Sequence, residues 1–95
     1  DPGIINTPVS VRLFQNYPNP FNPETRIKYA LKNSGNVKLS VFDITGKLIQ
    51  ILVNENQKTG DYEVLFDGQS LPSGAYFYKI ETADYNETRL MMLVK

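Results

Sequence analysis

Ten carboxylates and six tyrosines are the main reactive inventory of this 95-residue chain, because histidine and cysteine are both absent. Without histidine, the commonest general base and the commonest metal ligand are missing. Without cysteine there is no thiolate nucleophile and no disulfide framework. The five serines (Ser10, Ser34, Ser40, Ser70, Ser73) have no partner base and no nucleophile elbow. Zinc and redox metals lack their usual ligand types. Among the carboxylates, Asp61 and Glu63 are two positions apart at the start of an apolar alternation, so they share a strand face; Asp67 follows, and Asp43 sits in a turn. Calcium accepts such oxygens from loops, but no D-x-D-x-D-G pattern appears, and a solvated strand edge accounts for the same residues. A glycosidase pair needs a cleft, and a chain of this length has room for two layers without one. The sequence therefore offers no catalytic set, no cofactor motif and no metal site, and reads as a non-enzyme.

The tyrosines invite another chemistry, since sugar faces stack on flat rings. Tyr76, Phe77 and Tyr78 are consecutive, so one strand carries rings on both faces, and at least one set must belong to the core. Asn86-Glu87-Thr88 matches a glycosylation acceptor, a triplet common by chance. Lysine plus arginine equals aspartate plus glutamate, ten against ten, so no long-range field draws the chain to nucleic acid or an anionic membrane. No apolar run approaches the ~20 residues of a membrane-spanning helix.

What would position these groups is a set of strands. Period-two alternation recurs in VSVRLF (9–14), IKYAL (27–31), VKLSV (37–41), DYEVLF (61–66), AYFYKIET (75–82) and TRLMMLVK (88–95); KLIQILV (47–53) is apolar almost throughout, which leaves its inward face open. In the last strand, Leu90, Met92 and Val94 oppose Met91 and Leu93, and either set serves as the core face. Turn signals separate the strands: NSGN (33–36), DITGK (43–47) with Gly46 available for positive φ, NENQKTGD (54–61) as a longer polar loop, DGQSLPSG (67–74) as a passage between sheets, and ADYN (83–86). Seven short strands with no helical period predict an all-β, immunoglobulin-like β-sandwich of about seven antiparallel strands over residues 9–95. The opening DPGIINTP (1–8) reads as a linker from an upstream domain.

The stretch YPNPFNP (17–23) sets two rings among three prolines. Proline fixes φ and removes a donor, so this is neither helix nor central strand. The expectation is a stiff crossover from one sheet to the other, with Tyr17 and Phe21 as inward pegs.

Three segments taken together resemble the type IX secretion C-terminal sorting domains. LFQNYPNPFNPETRIKYAL (13–31) is similar to their opening signature, VKLSVFDITGKLIQILVN (37–54) to their middle strand–hairpin–strand, and LPSGAYFYKI (71–80) with the terminal TRLMMLVK (88–95) to their closing motif. The match runs from about residue 11 to 95; Arg89 stands where many members carry lysine. The resemblance implies that Tyr17, Pro18, Asn19, Pro20 and Phe21, then Asp43 and Gly46, then Leu71, Pro72, Gly74 and Tyr76, and the tail to Lys95 are the recognition residues. It implies a sorting module, not an enzyme. An upstream cargo domain in the same chain would pass through the periplasm of a Gram-negative bacterium. The outer-membrane type IX translocon would recognise the module, and a sortase-like signal peptidase would remove it upstream of the sandwich, near residues 1–8. The cargo would end secreted or on the cell surface.

An edge position for the last strand would let the final hairpin, Tyr76–Lys95, dock by strand addition or side-chain contact. Two rival readings stand beside this one: a carbohydrate-binding or spacer module of a polysaccharide-degrading enzyme, and an immunoglobulin-like domain of flagellar hook-capping type, which shares the V-x-D-x-x-G hairpin.

Overall fold

Alternating apolar residues build two sheets that face each other. The computed structural model describes residues 11–95; the expected linker 1–8 and the first residues of the first strand, Val9 and Ser10, lie outside them. The strands are β1 (Val11–Leu13), β2 (Glu24–Leu31), β3 (Gly35–Asp43), β4 (Leu48–Gln57), β5 (Gly60–Asp67), β6 (Gly74–Glu81) and β7 (Asn86–Leu93). One sheet has the order β1-β2-β5, the other β4-β3-β6-β7, and every neighbouring pair is antiparallel. This is the immunoglobulin-like sandwich that the strand spacing predicts.

The core lies where the inner faces meet. Ile27 and Tyr29 of β2 and Phe66 of β5 are buried against Leu39 and Val41 of β3 and Tyr78 and Ile80 of β6. In β7 the structure chooses Met91 and Leu93 as the inner pair, leaving Leu90, Met92 and Val94 exposed. Tyr29 stacks on Tyr62 with centroids 5.2 Å apart, and Phe21 meets Phe66 edge-on at 6.0 Å.

The ambiguous strand, β4, resolves through bulges. Leu52 is extra between the pairs Leu39↔Val53 and Ser40↔Ile51, and Ile49 is extra between Val41↔Gln50 and Phe42↔Leu48. A bulge re-aims the side chains on one strand. Here Ile49, Leu52 and Val53 pack against the core while Leu48 and Ile51 stay exposed. The two bulges also break up a long apolar edge that would otherwise invite pairing.

Two sequence expectations fail. The polar run 54–61 is mostly strand: β4 continues to Gln57, β5 begins at Gly60, and Asn54–Gln57 pair with Gly35–Lys38. Polar side chains are no obstacle to a ladder at a solvated edge, so the polarity was a poor loop signal. The proline stretch is not a crossover either. It joins β1 to β2 within one sheet, and the chain changes sheets between β2 and β3, between β4 and β5, and between β5 and β6.

Candidate recognition site at one pole of the sandwich

The proline segment does its work through carbonyls and a few side chains. Tyr17 exchanges both backbone hydrogen bonds with Arg26, at 3.0 Å each, which pins the segment to the start of β2. The Pro18 carbonyl accepts from Thr25 Oγ1 (2.8 Å) and Asn16 Nδ2 (3.2 Å), and the Pro23 carbonyl accepts from Gly68 N–H (2.8 Å). The peptide bonds before Pro18, Pro20 and Pro23 are cis. Missing donors are no handicap where only acceptors are needed.

Phe21 carries the segment across to the other sheet. Its ring is 1% exposed. Its N–H donates to Met92 O (2.9 Å), and its carbonyl accepts from Val94 N–H (2.9 Å), a parallel bridge to Leu93. The Asn19 side-chain oxygen accepts from Met92 N–H (2.9 Å), and Gln15 donates to Leu90 O (2.8 Å). β7 is an edge strand, as expected, but residues 15–21 already occupy its outward groups from Leu90 to Val94. Strand addition along that stretch would have to displace them.

Beneath the prolines lies a buried polar network that the sequence did not single out. Asn16, 2% exposed, donates its backbone N–H to Tyr78 Oη (2.8 Å) and a side-chain N–H to Thr25 Oγ1 (3.0 Å). Tyr78 Oη in turn donates to Phe14 O (2.7 Å). Burial pushes the Tyr78 hydroxyl up to about 12, the hydrogen bond from Asn16 opposing part of that rise. The sequence left open whether Tyr78 or Phe77 faces the core; that the Tyr78 hydroxyl ties the two sheets together depends on a partner 62 positions away.

The other motif residues gather at the same end. Asp43 braces its own hairpin, accepting at Oδ1 from Thr45 N–H (2.9 Å), Thr45 Oγ1 (2.6 Å) and Lys47 N–H (3.0 Å). The hydrogen bond from Thr45, first, holds the Asp43 carboxyl below its ordinary value. Gly46 completes the turn with φ near 90°, a region other residues adopt at a cost. Asp43 lies opposite Tyr76, whose hydroxyl donates to Pro72 O (2.6 Å), and Gly74 lies opposite Leu93. Leu71 packs half-buried against the core. Lys95 donates its N–H to Ser73 Oγ (3.0 Å) and its ammonium to the Gln69 carbonyl, so the tail is tied to the 67–74 loop. Gly68 fits between Phe21 and Leu93: a Cβ there would meet Leu93 Cδ2 at 3.1 Å and Phe21 Cε2 at 3.3 Å.

Tyr17 corrects the sequence reading. It is 79% exposed and not an inward peg. Its cross-strand partner Arg26 points to solvent, and opposed residues share a face, so the ring must point outward too. Pro18, Asn19 and Pro20 are exposed beside it.

The predicted residues thus sit together at one pole. The described chain starts at the other: Val11 pairs with Leu31, at the far end of β2, about 24 Å away across the seven steps of an eight-residue strand at ~3.4 Å per residue. The acidic residues do not form a site. Glu63 bonds Arg26 at 2.7 Å, Asp43 is used in its turn, and no cluster of metal-ligating side chains occurs among the described residues.

Comparison with known proteins agrees with this architecture. No curated protein matches the chain. Among solved structures it is similar to dimeric latent PorU from Porphyromonas gingivalis (TM-score 0.69, 16% identity over 96% of this chain and 10% of that one). It is also similar to PorZ, described as an essential bacterial surface component of the type-IX secretion system of the same organism (TM-score 0.58, 19% identity over 87% of this chain and 11% of that one). The chain spans about a tenth of either protein, and at these identities the likeness shows the fold. With the family model for the secretion system C-terminal sorting domain matching residues 15–94, nearly the whole span of the motif segments described above, the chain belongs to that family.

Proposed function

We propose that this domain is the sorting signal of a longer protein, read as a folded object by the outer-membrane type IX translocation machinery. It directs a cargo preceding it in the same chain through the periplasm to the surface or surroundings of a Gram-negative bacterium. A sortase-like peptidase then cuts in the segment ahead of the sandwich. The observation that carries this reading is the separation of poles: all three motif segments converge at one end, and the chain enters the described sandwich at the other. A cargo attached ahead of Val11 joins the sandwich at the pole opposite the motif residues. A machinery that handles many cargos needs such a shared, unobstructed shape.

The test is a periplasm-directed fluorescent reporter fused ahead of residues 1–95, expressed in a bacterium with an active type IX system and in the same strain with the translocon disabled. Surface arrival only in the first strain is expected. A reporter that stays periplasmic in both strains, while the fused domain is folded, removes the reading.

A further inference from the structure

Of the large motif side chains, Tyr17 is the one with no task inside the fold. Phe21 fills the core, Asn19 and Lys95 hold the last strand, Tyr76 bonds Pro72, and Asp43 braces its turn. The Tyr17 ring stands in solvent, and its hydroxyl makes no hydrogen bond among the described residues. A large exposed ring on a pinned backbone costs solvation and returns nothing to stability, but it suits an interface, where tyrosine is over-represented among the residues that dominate binding.

The ring borders a groove on the outer face of the three-stranded sheet. Phe14, 40% exposed, forms another wall, and the Arg12 guanidinium lies 5.3 Å over the Phe14 ring. The hollow is about 480 Å³, with Gln15, Arg26, Lys28 and Glu63 completing it. A second hollow of about 370 Å³ continues past Phe14, Lys28 and Glu63 toward Asp61. Arg26 and Glu63 neutralise each other at 2.7 Å on the groove floor. Lys28 lines both hollows and has no ion pair among the described residues. The first hollow therefore offers two rings and one uncompensated cation.

We infer that this groove docks an extended segment of a partner protein in which an apolar side chain lies beside a carboxylate, the apolar group between Tyr17 and Phe14 and the carboxylate on Lys28. The inference rests on the sorting reading and names the chemistry of its reader. A neutral sugar would use the rings and leave Lys28 unanswered. In the four-stranded sheet backbone pairing is the poorer route, because residues 15–21 cover the β7 edge from Leu90 to Val94 and bulges interrupt β4. A side-chain groove needs neither edge.

The test uses hexapeptides of varied flanks built on Leu-Asp, Leu-Asn or Leu-Lys centres, titrated into the isotope-labelled 95-residue chain with amide shifts as the readout. Saturable shifts at residues 14–17, 26–28 and 63 are expected, with Leu-Asp peptides tighter than Leu-Asn by about fivefold and Leu-Lys weakest. Tyr17→Ala should weaken binding about tenfold at an unchanged melting temperature, and Lys28→Glu should reverse the preference between Leu-Asp and Leu-Lys. Binding indifferent to the central residue, binding that survives Tyr17→Ala, shifts confined to the face bearing Leu48, Phe77 and Leu90, or shifts at the groove with cellohexaose and not with peptides would each overturn it. Reporter export separates the two claims. If the wild-type reporter reaches the surface and the Tyr17→Ala, Lys28→Glu variant does so equally, the groove inference falls and the sorting reading stands. If the wild-type reporter fails, the sorting reading falls whatever the peptides do.

Discussion

Phe21 and Leu93 form a parallel bridge that closes the sandwich at the motif pole, joining the β1–β2 connection to the last strand of the opposite sheet. The two side chains pinch Gly68 between them and are both 1% exposed. The proline segment is therefore a strap as well as a connection, and its worth to stability is measurable.

Phe21→Ala should cost about 3–5 kcal/mol, the range for deleting a buried phenylalanine, because Phe66, Gly68 and Leu93 cannot all move to fill the space. Urea unfolding of the isolated domain gives the number. A loss under about 1 kcal/mol would mean that the strap holds nothing.

Tyr78→Phe should cost about 1–3 kcal/mol although it removes only one oxygen, because the backbone N–H of Asn16 is left buried without its acceptor. The same denaturation experiment measures it. A neutral result would show that another acceptor reaches Asn16.

Stability should fall between pH 10 and 12. Burial pushes Tyr29 and Tyr78 up to about 12, while an unfolded tyrosine titrates near 10. The folded state thus keeps protons that the unfolded state has released. The contribution is complete below pH ~10 and is lost as pH rises through the folded values. Thermal melts should be flat from pH 8 to 10 and drop above, and Tyr78→Phe should shrink the drop. A flat profile to pH 12 would contradict the burial of these hydroxyls.

Ser40→Ala should stabilise the domain by about 1 kcal/mol. Ser40 is fully buried, although its neighbours Leu39 and Val41 face the core, and its hydroxyl has no partner among the described residues. A destabilised variant would reveal a hydrogen bond to water at that position.

Deleting residues 91–95 should both retain a fused cargo in the periplasm and abolish the sheet signal in far-ultraviolet circular dichroism, since Met91 and Leu93 are core residues. Deleting Lys95 alone removes only the tie to Ser73 and Gln69 and should leave the sheet signal intact. Export by the five-residue deletion would count against the sorting reading itself.

Most of the architecture was written locally. Alternation fixed the inner faces of β2 and β3, and Gly46 with Asp43 marked a hairpin that needs no distant partner. Family membership was also legible, because three motifs in order are a linear property of the chain. What the linear pattern could not supply were relationships between distant residues. In β4 every residue from Leu48 to Val53 except Gln50 is apolar, so only pairing with β3 could say which of them bulge inward. In β7 both alternations were apolar, and the inner face follows from the register with β6, which puts Met91 opposite the buried Tyr76. Tyr17 and Phe21 looked equivalent, two rings among prolines. Their fates split because Tyr17 pairs with a solvent-facing arginine on its own sheet, while Phe21 bonds the strand of the other sheet. Side-chain direction in such a segment follows from which backbone groups find partners, and those partners lie in parts of the chain that only folding brings near.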